Sequence, residues 1–255
     1  MGNRIYFASD FHLGIPDRPT SLERERKLVS WLEMIRSDAD ELILMGDIFD
    51  FWFEYHTAIP MGYARLLGKL AEISDQGIPV HLFRGNHDMW AFHYLQDELN
   101  IHLHHDPEFR EFNGKKFYLA HGDGLGPGDH GYKFIKKVFA NRLNQSLFRL
   151  IHPDLGIPLA LFWSHRSRYA AMIKEKKEEE RTIRLIEERL TIYSQKLLVS
   201  HPDLDYLIYG HYHTPYDKKL NDRAIQIVLG DWLTHFSYAV FDGHRLKLLV
   251  YHPAP

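Results

Sequence analysis

The chain has 255 residues, of which 45% are hydrophobic and 25% charged, and its formal net charge is −3. These values are ordinary for a soluble globular protein, and the length favours one large α/β domain carrying an insertion over two independent domains. The absence of cysteine excludes disulfides and thiolate metal sites. Because there is no run of about 18 apolar residues and the first apolar run is too short for a signal peptide, we expect a cytoplasmic protein.

Buried strands and amphipathic helices alternate in much of the sequence. Short apolar runs predict strands at residues 4–9, 42–45, 80–83 and 116–120. Apolar positions spaced three and four apart predict helices at residues 23–36 and 61–76. Strands resume at residues 206–209 and 225–229, and Asp242-Gly243 is predicted to turn a hairpin between residues 238–241 and 245–251. This alternation indicates an α/β fold.

Residues 124–200, here called the lid, are predicted to form a helical insertion. Helical periodicity covers residues 132–151 and 167–198, with an apolar segment at 155–163 between them. Residues 130–190 contain 13 Lys and Arg against 7 Asp and Glu, so their net charge is +6 while the rest of the chain sums to −9. A basic lid over an acidic floor suits an anionic substrate, and Lys133 is a candidate contact. A solvated helix surface explains the later charges of the lid equally well.

Polar clusters follow the predicted strands directly. In chain order they are Asp10 with His12, Gly46-Asp47, the run Gly85-Asn86-His87-Asp88, His121-Gly122-Asp123, His211 with His213, and Gly230-Asp231. Any one of them alone could be a polar turn, but five with potential metal ligands at strand ends point to a site at the carboxyl edge of the sheet. The ligands offer nitrogen and oxygen only, which suits Mn²⁺, Fe or Zn²⁺. We expect the carboxylate of Asp47 to bridge two ions.

The order of these clusters, D-x-H, G-D, G-N-H-D, H and G-H-x-H, resembles the pattern of the calcineurin-like metallophosphoesterase superfamily. The resemblance covers almost the whole chain outside the lid. It implies a two-sheet α/β sandwich with helices outside. It also implies two divalent ions, with Mn²⁺ expected first and Fe or Zn²⁺ as alternatives. One ion would be held by Asp10, His12, Asp47 and His213, and the second by Asp47, Asn86, His121 and His211.

The charges of such a site imply a mechanism. Two divalent ions lower the pKa of a water molecule toward roughly 7 and clamp the phosphoryl oxygens for in-line attack. His87 is the candidate to protonate the leaving oxygen or to stabilise the transition state. We expect Asp88 to hold His87 in the tautomer that this role requires.

Within the superfamily, the chain is most similar to the UDP-2,3-diacylglucosamine hydrolases of lipid A synthesis. That family also inserts a helical lid after H-G-D and follows it with D-x-x-Y, which Asp129 and Tyr132 match. Its lid motif S-x3-N-x2-K is matched by Ser167 and Lys174, whereas Ala171 stands in place of the Asn. His87 stands where the best-known branch has Arg. The expected substrate-binding residues are therefore Asn86, Asp129, Tyr132, Lys133, Ser167 and Lys174.

The resemblance implies a UDP-sugar substrate with two acyl chains, cleaved to UMP and a lipid sugar 1-phosphate. Phe134, Val138, Phe139 and residues 155–163 would then line an acyl groove, or else pack the lid onto itself. A basic, aromatic lid could also contact the cytoplasmic face of the inner membrane.

Other functions remain open on sequence alone. The same chemistry could serve a soluble nucleotide, a dinucleotide or a phosphoprotein, and a non-catalytic scaffold of the same fold is a further alternative. A nucleic-acid partner is not expected, because the net charge is −3 and no broad basic stripe lies outside the lid. The sequence carries no signal for the oligomeric state.

Overall fold

Two mixed β-sheets form the centre of the protein. The computed structural model describes residues 4–172 and 178–253. The first sheet contains β1 (Arg4–Ala8), β2 (Ala39–Leu44), β3 (Val80–Phe83), β4 (His102–His104), β10 (Ser237–Phe241) and β11 (Leu246–Val250), in the order β11-β10-β1-β2-β3-β4. The second contains β5 (Glu108–Phe112), β6 (Lys115–Ala120), β7 (Tyr206–Tyr209), β8 (Tyr216–Lys219) and β9 (Ile225–Val228), in the order β5-β6-β7-β9-β8.

The central strands of each sheet run parallel. In the first sheet β1 pairs with β2, β2 with β3 and β3 with β4 in parallel, while β10 and β11 are antiparallel additions. In the second sheet β6, β7 and β9 are parallel, and β5 and β8 are antiparallel edge strands. The polar clusters all follow parallel strands, so both sheets deliver their loops to carboxyl edges, where sites form in such folds.

The hydrophobic core lies in three layers. Between the sheets, Phe7, Ile43, Phe117 and Ile208 are among the buried side chains that pack together. A second cluster lies between the first sheet and its helices, and a third covers the outer face of the second sheet. Burial on both faces explains why the central strands are continuous apolar runs in the sequence. The predicted two-sheet α/β sandwich with flanking helices is confirmed.

Three helices cover the first sheet: α1 (Arg18–Ile35), α2 (Ala64–Asp75) and α3 (Tyr94–Leu99). The helix predicted at residues 23–36 starts earlier, at Arg18, because the side chain of Asp17 accepts a hydrogen bond from Thr20 N at 2.8 Å and caps the first turn. The helix predicted from residue 61 starts later, at Ala64. Sequence patterns locate such helices well and their first residues less well.

The described elements between β6 and β7 are all helical: α4 (His130–Ala140), α5 (Arg142–Arg149), α6 (Pro153–Met172), α7 (Glu178–Leu185), a π-helical turn (Ile186–Thr191) and α8 (Ile192–Ser200). The prediction of one helix over residues 132–151 is wrong, because the backbone of Asn141 is extended and its side chain caps α5. The helix predicted over 167–198 is divided, and residues 173–177 lie outside the described part.

Three strands were not predicted: β4, β5 and β8. Each is short or alternates exposed and partly buried positions, as in the pattern of β8, so none contains the apolar run that marks the central strands. The hairpin at Asp242-Gly243 is confirmed, with Oδ1 of Asp242 accepting from Arg245 N at 2.9 Å. Among the described residues, no helix has both the length and the apolar character needed to cross a membrane.

Candidate dinuclear metal centre

Two buried aspartates have the same arrangement at the centre of the site. Asp10 follows β1 and accepts from His211 N at 2.9 Å through Oδ2. Asp47 follows β2 and accepts from His87 N at 2.8 Å through Oδ1. In each case one carboxylate oxygen is fixed by a backbone N–H, so the other oxygen is held in place beside the histidines.

The first cluster contains Asp10, His12 and His213, whose ligand atoms lie within 4.8 Å of one another. Oδ1 of Asp10 is 3.5 Å from Nε2 of His12 and 3.3 Å from Nε2 of His213. The two imidazole nitrogens are themselves 3.1 Å apart. Donor atoms bound to one ion at about 2.0–2.2 Å lie roughly 3–3.5 Å from each other, so these separations fit a common ion.

The second cluster contains Asp47, His121 and His211, again with ligand atoms within 4.8 Å. Nε2 of His121 is 3.3 Å from Oδ2 of Asp47 and 3.3 Å from Oδ1 of Asn86. Nδ1 of His121 is 2.7 Å from the carbonyl oxygen of Met45, which fixes the tautomer that presents Nε2 to the site.

The same atom of Asp47 reaches both clusters. Oδ2 lies 3.7 Å from Nε2 of His12 in the first cluster and 3.3 Å from Nε2 of His121 in the second. The loop that carries Asn86 lies against Asp47, which requires glycine at position 85, because a Cβ there would lie 2.2 Å from Oδ1 of Asp47. These distances support the predicted bridging position of Asp47.

The backbone at the site is strained. Asp10, His12, Asp47, His211 and His213 all have φ between +44° and +68°. Residues other than glycine rarely adopt this left-handed region, and where they do, the surrounding structure holds them there, often at functional sites. The strain is therefore concentrated at five of the seven predicted metal ligands.

The electrostatics of the site favour cations. Burial alone would raise the pKa of Asp10, but its interactions with His12 and His213 outweigh burial and hold the pKa well below its usual value. Burial would lower the pKa of His121, yet the neighbouring Asp47 carboxylate raises it to about 10. The buried carboxylates therefore stabilise positive charge placed beside them, and divalent ions would supply such charge.

The donor set fits divalent ions on its own evidence. Oδ1 of Asp10 is fully buried and accepts no well-formed hydrogen bond from the described residues, although two imidazoles flank it. An unpaired buried carboxylate oxygen is costly, and a cation between it and the imidazoles removes that cost. A third group of ligand atoms, from His12, Asp47 and His87, lies beside the first two.

Comparison with known proteins identifies the family. Residues 3–215 match the model of the calcineurin-like phosphoesterases. The chain belongs to the calcineurin-like phosphoesterase family.

Two curated relatives are similar over nearly the whole length of this phosphoesterase. The UDP-2,3-diacylglucosamine hydrolase of Porphyromonas gingivalis is 38% identical, over 97% of this chain and 97% of that protein. The UDP-2,3-diacylglucosamine hydrolase of Yersinia pestis is 26% identical, over 96% of this chain and 98% of that protein. A solved structure, the phosphoesterase Yfce from E. coli, is 17% identical with a TM-score of 0.47, and the match covers 97% of this chain and 92% of that one.

His87 of this phosphoesterase lies beside the first cluster. Its Nδ1 is 2.8 Å from the carbonyl oxygen of Asp50 and 3.7 Å from Oδ1 of the same residue. Its ring meets that of His12 edge to face, with centroids 5.0 Å apart. Because a carbonyl oxygen only accepts, the contact assigns a proton to Nδ1 of His87.

The structure gives Asp88 a different task from the predicted one. Its Oδ2 accepts from Ile48 N at 2.7 Å and its Oδ1 from Gly85 N at 2.6 Å. Burial and the charge of Asp47 raise the pKa of Asp88 to about 7. The carboxylate thus joins the loops that follow β2 and β3, whereas the atoms beside Nδ1 of His87 come from Asp50.

The predicted substrate contacts divide into three groups. Asn86 lies at the second cluster. The polar atoms of Asp129, Tyr132 and Lys133 bind other groups of the protein: Asp129 pairs with Arg189 at 2.7 Å, Tyr132 donates to Oδ2 of Asp123 at 2.6 Å, and Lys133 donates to the carbonyl oxygen of Gly126 at 2.5 Å. Ser167 falls within α6, its side chain is not described, and Lys174 lies outside the described residues.

A cavity of about 350 Å³ is lined by Glu54 and Tyr94 among others, and none of its lining residues is a candidate metal ligand. A cavity of about 240 Å³ adjoins the metal cluster at His211, and Asp129, Arg189 and Tyr212 are among the residues that line it. This cavity therefore lies between Asp129, the first residue of the D-x-x-Y segment, and His211 of the second cluster.

Three functional positions, Arg24, Asp50 and Ser164, were missed from the sequence. Arg24 of α1 is buried and donates to the carbonyl oxygens of His12 and Ile15. Asp50 lies behind His12 and His87, and Ser164 of the lid donates to it at 2.6 Å. Of these three, only Asp50 had a local signal, as a second acidic residue three positions after Asp47. Asp231, from the last polar cluster, has Oδ2 3.9 Å from Nδ1 of His213 and accepts two backbone N–H groups.

Proposed function

We propose that this phosphoesterase hydrolyses the diphosphate of UDP-2,3-diacylglucosamine, giving UMP and 2,3-diacylglucosamine 1-phosphate. The observation that carries the proposal is a large apolar surface on α4, α5 and α6, in a chain 38% identical to a UDP-2,3-diacylglucosamine hydrolase over 97% of its length. A soluble nucleotide or a phosphopeptide offers nothing to cover such a surface.

Two divalent ions are the proposed cofactors, Mn²⁺ before Fe or Zn²⁺. Asp10, His12, Asp47 and His213 would hold one, and Asp47, Asn86, His121 and His211 the other. When bound, such ions activate a water nucleophile and neutralise charge on the phosphoryl group. The nitrogen and oxygen donors do not choose between these metals, so metal identity is a matter for titration of the metal-free protein with each ion.

His87 is the proposed acid of the reaction. With Nδ1 held by the carbonyl oxygen of Asp50 at 2.8 Å, Nε2 is the ring atom that can exchange a proton with the departing phosphate. The buried carboxylate of Asp50 lies 3.7 Å from the same Nδ1 atom. Attack of water forms one phosphorus–oxygen bond and breaks the bond to the leaving phosphate. The leaving oxygen takes the proton from Nε2 of His87, and the attacking water gives up a proton to solvent.

The lid is proposed to hold the acyl chains. Exposed apolar side chains lie on three of its helices and directly after α5: Phe134, Ile135, Phe139, Leu143, Leu147, Leu150, Leu155, Leu159 and Phe162. Many exposed apolar side chains on neighbouring helices are typical of a ligand groove or a membrane contact. Lys133 and Lys136 lie on α4, close to the metal clusters, where cations suit a diphosphate.

The same surface supports peripheral contact with the cytoplasmic face of the inner membrane, where the substrate's acyl chains reside. Leu150 and Leu155 are 82% and 68% exposed. Replacing both with Ser is expected to reduce co-sedimentation with vesicles that contain anionic lipid. Equal binding of the variant and the wild type, or no binding of either, would count against this contact.

The decisive assay is Mn²⁺-dependent release of UMP from UDP-2,3-diacylglucosamine. A panel of UDP-glucose, a dinucleoside diphosphate and a phosphopeptide tests the alternatives under the same conditions. Release of UMP from the lipid substrate in strong preference to the panel supports the proposal. Hydrolysis of a panel member in preference to the lipid would replace it with a soluble substrate, and metal binding without any hydrolysis would favour the scaffold.

A further inference from the structure

A serine of the lid contacts the side chain of Asp50, the residue whose backbone carbonyl oxygen orients His87. Oγ of Ser164 donates to Oδ2 of Asp50 at 2.6 Å and lies 3.4 Å from Nδ1 of His87. Asp50 is fully buried, and its Oδ1 is 3.5 Å from Nδ1 of His12 and 3.7 Å from Nδ1 of His87. One carboxylate therefore contacts the hydroxyl group of the lid through one oxygen and approaches two imidazoles of the site through the other.

The position of Ser164 on α6 explains how it reaches the site. Ile157, Ala160 and Leu161 of α6 pack against a buried cluster that includes Phe51, Phe53 and Trp90. Ser164 comes three residues after Leu161 and seven after Ile157, so it continues the same face of the helix. Leu155, Leu159 and Phe162 lie exposed on the other side.

The packing of α6 is close as well as apolar. A Cβ on Gly156 would lie 2.6 Å from Oη of Tyr55 and 3.3 Å from the ring of Phe148. The start of the helix is thus fixed against the segment that follows Asp50 in the chain. Movement of α6 away from this segment would separate Ser164 from Asp50. Their hydrogen bond, 2.6 Å long, breaks when donor and acceptor move apart.

We propose that Ser164 is a positioning residue that couples the seating of α6 to the orientation of His87. With α6 seated, the hydroxyl proton of Ser164 holds the carboxylate of Asp50, and the backbone carbonyl oxygen of the same residue holds Nδ1 of His87. With α6 displaced, Asp50 loses this donor and His87 loses part of the frame that fixes its ring. The proposal rests on the proposed function only in taking His87 as the acid of the reaction.

This arrangement makes turnover depend on the lid. A substrate that leaves α6 seated keeps the hydrogen bonds around His87 intact, whereas a molecule that displaces α6 breaks them. The protein would then discriminate between substrates in the chemical step as well as in binding, as enzymes do when a closed lid completes the catalytic site.

The test compares Ser164→Ala and Ser164→Thr with Ser146→Ala. Ser146 is a matched control, since it is an exposed lid serine whose hydroxyl donates, among the described residues, to the carbonyl oxygen of Arg142 in its own helix. Ser164→Ala is expected to lower kcat about tenfold with KM changed less than about twofold, and threonine is expected to restore kcat to within about threefold.

Two aryl phosphodiesters separate this proposal from the substrate assignment. Bis(p-nitrophenyl) phosphate has a good leaving group and diphenyl phosphate a poor one, so loss of an oriented acid should reduce hydrolysis of the second more than the first. If the lipid is not cleaved but the esters are, the proposed function fails while Ser164 is still tested on the esters.

A readout without metal or turnover completes the experiment. In chelator-treated protein, the amides of α6 and of residues 48–53 are expected to exchange with deuterium faster in Ser164→Ala than in the wild type or Ser146→Ala. Equal kcat and equal exchange in the two alanine variants would overturn the proposal. A loss that is the same for both esters and is not restored by threonine would overturn it too, because it would reflect packing alone.

Discussion

Arg24, buried in α1, donates a hydrogen bond from Nη1 to the carbonyl oxygen of His12 at 2.9 Å. The same nitrogen lies 3.0 Å from the carbonyl oxygen of Ile15. A helix on the outside of the first sheet thus fixes the loop that carries two of the predicted metal ligands. The left-handed backbone of His12, with φ at +44°, is held in part by this contact.

Replacing Arg24 with Met should therefore weaken both folding and metal binding. Two buried carbonyl oxygens lose a charged donor, and we expect the free energy of unfolding to fall by about 1–3 kcal/mol. Urea denaturation and Mn²⁺ titration measure the two effects. Arg26→Met, at an exposed position of the same helix, is the control. Unchanged metal affinity in a destabilised Arg24→Met variant would show that the loop does not need this donor.

Replacing Asp47 with Ala should empty both metal positions. Its Oδ2 contacts both clusters, so we expect the metal content to fall from about two ions per chain to well below one. Metal that binds only the folded state raises the thermal midpoint, so chelator should lower this midpoint in the wild type but not in the variant. Elemental analysis and thermal scans check this against Asp217→Ala, at an exposed strand position. Loss of only one ion would contradict the shared position of Asp47.

Replacing His87 with Gln should reduce turnover while leaving the metals in place. An acid in proton transfer contributes about 10²–10⁴-fold, and we expect kcat to fall within that range. His93→Gln, whose side chain is 65% exposed, is the matched control. Because His87 also lies beside His12 and Asp47 at ligand distance, metal content must be measured as well. If the variant loses a metal ion, His87 is a ligand rather than the acid.

His81 should make the fold sensitive to acid. Burial and the nearby charge of Arg110 lower the pKa of His81 to about 3, and Glu41, His102 and His104 complete its surroundings. Between this pKa and the ordinary value of about 6.5, only the unfolded state binds the proton. Stability contributed by this residue is therefore complete above pH 6.5 and is lost as the pH falls.

Urea midpoints of chelator-treated protein between about pH 7.5 and 4.5 test this expectation. Relative to the wild type, His81→Leu should flatten the pH dependence by at most about 1.4 kcal/mol per pH unit. His244→Leu, at an exposed hairpin position, should follow the wild type. Parallel curves for His81→Leu and the wild type would show that the proton is bound equally in both states.

The features that could be predicted from the sequence share one physical basis. Central strands are buried on both faces, so their sequences are apolar runs, and the candidate ligand clusters follow at their ends. That pattern was enough to assign Asp10, Asp47 and His121 to one site, and the two-sheet fold followed from the resemblance. The strands β4, β5 and β8 were missed because their partly exposed positions carry no such run.

The lid shows where periodicity is insufficient. Apolar spacing continues through residues 132–151, yet the chain turns at Asn141, where a side-chain cap on Leu143 N competes with helix continuation. Within the site, the contacts of Asp88 likewise could not be inferred from its position in the sequence. Its neighbour in sequence is His87, but its carboxylate binds the backbone of Ile48 and Gly85 instead.

The sequence alone determined which residues are the candidate metal ligands, because ligand type and position at strand ends are local properties. Tertiary structure alone decided which groups act on those residues from a distance. Arg24 supports His12 from a helix, and Ser164 reaches Asp50 across 114 residues of chain. Such contacts depend on the packing of whole elements, and no spacing along the chain encodes them.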